Sequence, residues 1–348
     1  MMKLREYSVL FWAAFVGILT LTDGTGQRNS TNATASLRAF DEEKAWCPSA
    51  QEIYPCTCSG PASFPLVVCD RVIDPFTIRE VSKSFDNMRN IGKFSLVNSR
   101  ISILRHNDLG LIQVEYFYAR KNTVKTVESG FFNCSRNTLK RIDITHNDVE
   151  SFPFGDLATF PKLEYLNLKY NSLKSILDFA FGNSVNTKMR KMILSFNKIS
   201  HIGSNAFKYL CGLELLDLRF NKLTVINNYA FAALFGNPKL SLDLSSNKVM
   251  LISDGAFENQ IFQCLNLTEN SMSKFPDKIF LEMIKEMVRT RHGVILVNNN
   301  RFRCTCDNMG WLVRLPDDYR IRVVGLECAD KNNKNAKDLT IYDIGCQG

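Results

Sequence analysis

Eleven cysteines, four histidines and a few carboxylates set in apolar runs are the residues of this 348-residue chain whose types could do chemistry. Eight cysteines form two quartets. Cys47, Cys56, Cys58 and Cys69 are spaced C-x8-C-x-C-x10-C, and Cys304, Cys306, Cys328 and Cys346 are spaced C-x-C-x21-C-x17-C. Zinc sites favour C-x2-C, so this spacing reads as oxidised sulfur in an oxidising compartment. Each quartet permits three pairings. Because residues one apart rarely bridge, the expected bonds are Cys47–Cys58 with Cys56–Cys69, and Cys304–Cys328 with Cys306–Cys346. Cys134, Cys211 and Cys264 are left over and are expected to be mostly small buried hydrophobes. An odd number leaves at least one free or paired to another chain, and Cys264 is the candidate for such a link.

The histidines do not converge. His106, His146, His201 and His292 lie in separate segments, none in a metal-ligand spacing such as H-E-x-x-H. G-x-S-x-G, G-x-G-x-x-G and phosphate-cradling Gly-rich loops are absent from the sequence. Asp143, Asp217 and Asp243 are expected to be solvated partners of nearby bases. A catalytic centre needs converging nucleophile, base and orienting groups. No catalytic, cofactor-binding or metal-ligating residue is therefore assigned, and the chain reads as a non-enzymatic binding scaffold.

The elements that position the remaining side chains are repeats. Leu213 to Leu223, LELLDLRFNKL, is the clearest copy, with Asn221 at its ninth place. Alternation of inward Leu with outward residues marks a short strand. The Asn amide both donates and accepts, so it suits a turn whose backbone groups would otherwise go unpaired. Nine copies begin near Ile91, Val114, Leu139, Leu163, Met189, Leu213, Lys239, Phe262 and His292, mostly 23 to 26 residues apart. Ser99 replaces the Asn of the first. The last interval is 30 residues because Pro276 to Arg291 holds an amphipathic helix with Phe280, Met283, Ile284, Met287 and Val288 on one side. The strings SGFF, DFAF, SNAF, NYAF and DGAF put Phe132, Phe181, Phe207, Phe231 and Phe257 in equivalent places. They predict a phenylalanine spine along the convex side.

The expected organisation is a signal peptide over residues 1–22, a flexible leader over 23–46, an N-terminal cap over 47–90, nine repeats over 91–303 and a C-terminal cap over 304–348. The apolar run Ser8 to Thr22 is about fifteen residues, shorter than the ~20 of a comfortable span, so no stable membrane anchor is expected. Sequons stand at Asn29, Asn32, Asn133 and Asn266. The two cysteine quartets flank the repeats, where a stack of coils needs its open apolar ends covered. Trp311-Leu312-Val313 supplies the lid at the far end.

Two cysteine caps around repeats of this length resemble the extracellular leucine-rich-repeat class. The stretches CPSAQEIYPCTC, SFPFGDLATFPKLEYLNLKYNSL and NNNRFRCTCDNMGWLV are more specifically similar to arthropod proteins related to the non-catalytic subunit of shrimp (oplophorus-type) luciferase. The resemblance implies an α/β leucine-rich-repeat solenoid, with a curved parallel sheet on its concave face and loops and short helices on its convex face. It also implies a secreted, non-enzymatic protein that accompanies a smaller catalytic chain.

The third, fifth and seventh places of each strand point onto the concave sheet. Tyr116, Tyr118, Arg120, Arg141, Tyr165, Lys169, Lys191, Ile193, Leu215 and Arg219 form the candidate contact surface, since interface hot spots favour Tyr and Arg. Tyr170, Phe196 and Phe220, each just before its Asn, are expected as half-buried packing. The later strands offer mostly small polar residues, and a glycan at Asn266 would crowd them. The net charge of +8 is too weak to imply nucleic acid. An extracellular protein partner is expected; the alternative is a soluble innate-immune or glycan/polyanion recognition protein that takes an acidic glycan.

Overall fold

In the computed structural model, residues 47–74, 76–85 and 90–347 are described. The expected signal peptide, the leader and the sequons at Asn29 and Asn32 lie outside them. Twelve strands form one sheet in strict chain order. They are β1 (Cys56–Ser59), β2 (Leu66–Asp70), β3 (Asn90–Val97), β4 (Gln113–Arg120), β5 (Arg141–Asp143), β6 (Tyr165–Asn167), β7 (Lys191–Ile193), β8 (Leu215–Asp217), β9 (Ser241–Asp243), β10 (Cys264–Asn266), β11 (Val294–Leu296) and β12 (Val323–Val324). β1 and β2 are antiparallel; every later neighbour is parallel. The register aligns equivalent repeat positions, Phe94 with Phe117 and Phe117 with Ile142. β3 to β11 are the nine repeat strands, and each returns through turns on the convex side.

The Asn column explains why the coils stay in register. Asn197 Nδ2 donates to the carbonyls of Leu168 (2.9 Å) in the preceding coil and Leu194 (3.0 Å) in its own, while its Oδ1 accepts the N–H of Leu173 (3.0 Å). Asn147, Asn171, Asn221, Asn247 and Asn270 repeat this set. All are buried, so each amide satisfies backbone groups that water cannot reach. Ser99 substitutes in the first repeat: its hydroxyl accepts the Val72 N–H and donates to the Val97 carbonyl.

The convex spine differs in part from the sequence expectation. Phe181, Phe207, Phe231 and Phe257 stack in order, with centroids 5.2, 5.6 and 5.9 Å apart. The next ring toward the N-terminus is Phe154, 5.1 Å from Phe181; Phe132 instead meets Phe160 edge-on at 6.4 Å. The third repeat carries a 3-10 turn, Phe154–Thr159, that brings its own Phe into the column.

Disulfides Cys47–Cys58 and Cys56–Cys69 tie the first cap, and Cys304–Cys328 and Cys306–Cys346 the second. The helix Asp277–Arg289 buries Ile279, Phe280, Met283, Ile284 and Met287. Ile279 takes the buried place expected of Val288, which is half-buried. Phe280 stacks on Phe275 (4.0 Å), which also stacks on Trp311 (5.9 Å), and the Trp311 indole N–H donates to the Phe275 carbonyl at 2.9 Å. Trp311 is thereby both an apolar lid and a satisfied donor.

Candidate functional site: the concave face

β3 to β6 bring four of the ten candidate contact residues, Tyr118, Arg120, Arg141 and Tyr165, together around one carboxylate. Asp143 is buried on β5, its side chain 1% exposed. It bonds Arg120 of the preceding strand, and Arg141 of its own strand lies 3.7 Å away. The Arg141 guanidinium sits 3.6 Å from the centre of the Tyr165 ring and 5.8 Å from that of Tyr118. Arg120 at 4.7 Å and Lys93 at 4.9 Å approach the same Tyr118 ring. Tyr165 is fixed in turn, its hydroxyl accepting from Asn167 Nδ2 at 3.2 Å.

Three cations thus surround one carboxylate and two tyrosines, leaving the cluster positive. A cation over an aromatic face gains about 0.5–1 kcal/mol when exposed and about 2 kcal/mol when desolvated. The arginines are therefore held in place before any partner arrives, and less rotamer freedom remains to be lost on association. The carboxylate is not solvated as the sequence reading expected. Burial within the sheet makes it the anchor of the guanidinium groups.

Tyr116 extends the face toward the first cap. Its ring meets Phe64 edge-on at 5.9 Å, and Lys140, paired to Glu115, lies 5.9 Å over it. Phe64 lies flat on Gly92, where a Cβ would fall 2.5 Å from the Phe ring. Neither Phe64, which opens the apolar run of the first cap, nor Lys93 is among the contact residues expected from the sequence. Lys93 could have been found from register alone, as the third place of the first repeat; Phe64 lies outside the repeat pattern and gave no such signal.

The later candidates do not join this cluster. Lys191 is exposed, while Ile193 and Leu215 are half-buried. Arg219 pairs with Asp217 at 3.2 Å. Asp217 is likewise buried, and burial raises its pKa above the usual carboxylate value against the pull of Arg219. Asp243 is half-buried and accepts from Ser245 rather than from a base. On β10, Asn266 Oδ1 accepts the Thr268 N–H at 3.1 Å. Beside it Cys264 is half-buried, and burial pushes its thiol up to about 11. The thiolate is the species that exchanges disulfides, so this site opposes the link proposed from its outward place. Asn133 lies exposed on a convex 3-10 turn. Among the described residues no three His, Cys, Asp or Glu side chains converge as metal ligands.

Tyr170, Phe196 and Phe220 form a ladder with His146 at the rim of the sheet, with centroids 4.4, 4.4 and 4.3 Å apart. Phe196 is half-buried, as expected, whereas Tyr170 and Phe220 are more open, Phe220 being 45% exposed. All four have left-handed backbones, φ from 53° to 56°, as do the equivalent Asn98 and Asn299 of the end repeats. That conformation costs a residue with a Cβ roughly 1–2 kcal/mol, and least for Asn. Aromatic stacking returns about 0.5–1.5 kcal/mol per pair. The two nearly cancel, so stability alone does not demand aromatic residues there.

With the fold in place, comparison with known proteins gives a consistent picture. Residues 81–210 match the family described as BspA type leucine rich repeat region (6 copies), and residues 187–235 match the leucine rich repeat family. The chain is 29% identical over 201 residues to the Oplophorus-luciferin 2-monooxygenase non-catalytic subunit of Oplophorus gracilirostris, covering 56% of this chain and 55% of that relative. The match thus spans about half the length of that protein. Among solved structures, a chain of the TLR13-ssRNA13 complex superposes with a TM-score of 0.55 and 22% identity, over 68% of this chain and 32% of that one. A chain from the octameric complex of Latrophilin 3 (Lec, Olf), Unc5D (Ig, Ig2, TSP1) and FLRT2 (LRR) gives 0.53 and 16%, over 86% of this chain and all of that one. The fold is a leucine-rich-repeat solenoid with disulfide-bonded caps.

The raised pKa of Asp217 fixes a sign. A carboxyl whose folded pKa exceeds its unfolded value binds more protons folded than unfolded, so stability falls as pH rises between the two. Asp217→Asn keeps the acceptor for the Arg219 N–H and removes the buried charge. In thermal melts the variant is expected to exceed the parent at pH 7, with the gap closing below about pH 4. A variant less stable at pH 7 would contradict this.

Proposed function

We propose that this leucine-rich-repeat protein is a secreted, non-enzymatic binding scaffold that serves as the non-catalytic subunit of an exported complex. The carrying observation is the concave cluster of Tyr118, Arg120, Arg141 and Tyr165, locked on Asp143. Large rigid aromatic and guanidinium groups, pre-placed and still half-exposed, are what interface hot spots are made of. The similarity to the non-catalytic subunit of a monooxygenase supports the complex, and four disulfides support an oxidising compartment. No helix among the described residues is long and apolar enough to cross a membrane.

The test is affinity capture of the tagged full chain from the secreting tissue, with quantitative mass spectrometry. A stoichiometric second protein is expected, and Tyr165→Ala with Arg141→Ala should weaken its binding by about a hundredfold or more. Capture of no stoichiometric protein, or capture indifferent to both substitutions, would overturn the reading. The acidic-glycan alternative draws on exposed Lys191 and the positive cluster. It predicts affinity that collapses as salt rises, whereas a protein hot spot keeps most of its affinity.

The binding face is further proposed to end before β9, with a glycan on Asn266 covering the strands beyond. Among the described residues, the Asn266 side chain is engaged only through its Oδ1. Intact glycopeptide mass spectrometry of exported protein is expected to find this site occupied; an unmodified Asn266 removes the shield.

A further inference from the structure

The rim ladder is a second surface, independent of the concave cluster. Tyr170 and Phe196 are tilted by 32° and Phe196 and Phe220 stack at 18°, so the faces between neighbouring rings are closed and their edges line the solvent side. Ring edges carry the positive side of the aromatic quadrupole. Bases and sugar rings bind aromatic side chains by lying flat on open ring faces, which the stacking closes between neighbouring rings. Carbonyl and carboxylate oxygens and small apolar groups, by contrast, fit against edges.

Exposed Asp148 stands at the His146 end of the ladder, but beside Tyr170, Phe196 and Phe220 the unpaired charges are all positive. On the sheet side Lys169 lies 4.8 Å from the centre of the Tyr170 ring and 5.0 Å from that of Phe196. The next outward place of the following coils is held by Lys198, Lys222 and Lys248, all exposed. None of these four forms an ion pair among the described residues, whereas Lys174 and Arg219 nearby do. Lys198 meets only the Ser172 hydroxyl, at 3.0 Å. Uncompensated cations beside partly exposed apolar edges are complementary to an anionic chain that also carries apolar groups.

We propose that the ladder docks an acidic, extended segment of a partner protein, with carboxylates facing the four lysines and one or two apolar side chains on the ring edges. The three steps of 4.4, 4.4 and 4.3 Å underlie about four residues of extended chain at ~3.3 Å per residue.

The test uses the full disulfide-bonded chain and fluorescein-labelled peptides of about eight residues. One probe carries two leucines among aspartates and glutamates; a second keeps the charge and replaces leucine by serine. The first is expected to bind at least about tenfold more tightly in fluorescence anisotropy. Phe196→Asn with Phe220→Asn, chosen because Asn tolerates the left-handed backbone, should remove that advantage while the thermal midpoint holds. Lys222→Gln with Lys248→Gln should weaken both peptides. Equal affinity for the two peptides, or an advantage that survives the Asn pair, would overturn the proposal. So would displacement of the leucine peptide by a sulfated oligosaccharide or a single-stranded oligonucleotide whose own binding is lost in the Asn pair.

Discussion

The buried asparagine amide at the turn of each coil is the interaction on which the rest depends. Each amide joins two coils through carbonyls on both and returns an acceptor to an N–H of the earlier one. A parallel sheet of three-residue strands has little hydrogen bonding of its own. The Asn column therefore extends the pairing of every coil past its strand and fixes its height against its neighbours. Only with that height fixed do side chains at equivalent positions meet as columns: aliphatic inside, phenylalanine on the convex side, aromatic and basic on the concave face and rim.

This dependence explains which parts of the protein were legible in the sequence. Strand positions, the inward leucines and the Asn column follow from a short period repeated nine times, so an error in one coil is corrected by the next. The cysteine quartets stand where the stack needs covers. What was not legible arises between coils. That Asp143 is enclosed by Arg120 and Arg141, rather than solvated, depends on the spacing of β4 and β5 and on the tyrosines that roof it. The entry of Phe154 into the convex column depends on one turn, and that of Phe64 onto the concave face depends on Gly92, whose lack of a Cβ admits the ring. The outward residues were identifiable as a set; their grouping into a cluster around β5 and a ladder on the rim was not.

The two surfaces divide the solenoid in a physically sensible way. The concave cluster concentrates bulky, pre-ordered groups where the partner would be enclosed by curvature. The rim ladder presents a narrow stripe of edges and lysines that suits a thin segment rather than a globular face. Beyond β8 the sheet exposes small polar residues, a half-buried cysteine whose thiol is held protonated, and a sequon asparagine. The groups suited to the proposed recognition thus lie mostly in the N-terminal half of the array, while the C-terminal end is closed by the helix Asp277–Arg289 and Trp311.

The most direct measurement on this account is equilibrium denaturation of Asn197→Leu, read together with native-state amide exchange. Leu keeps the side-chain volume but strands the Leu173 N–H and the Leu168 and Leu194 carbonyls in the core. Each orphaned group costs about 1–3 kcal/mol. The account predicts a loss of at least about 3 kcal/mol, with faster exchange at Leu173 and in the coils on either side. A variant within about 0.5 kcal/mol of the parent, with unchanged exchange at Leu173, would contradict it.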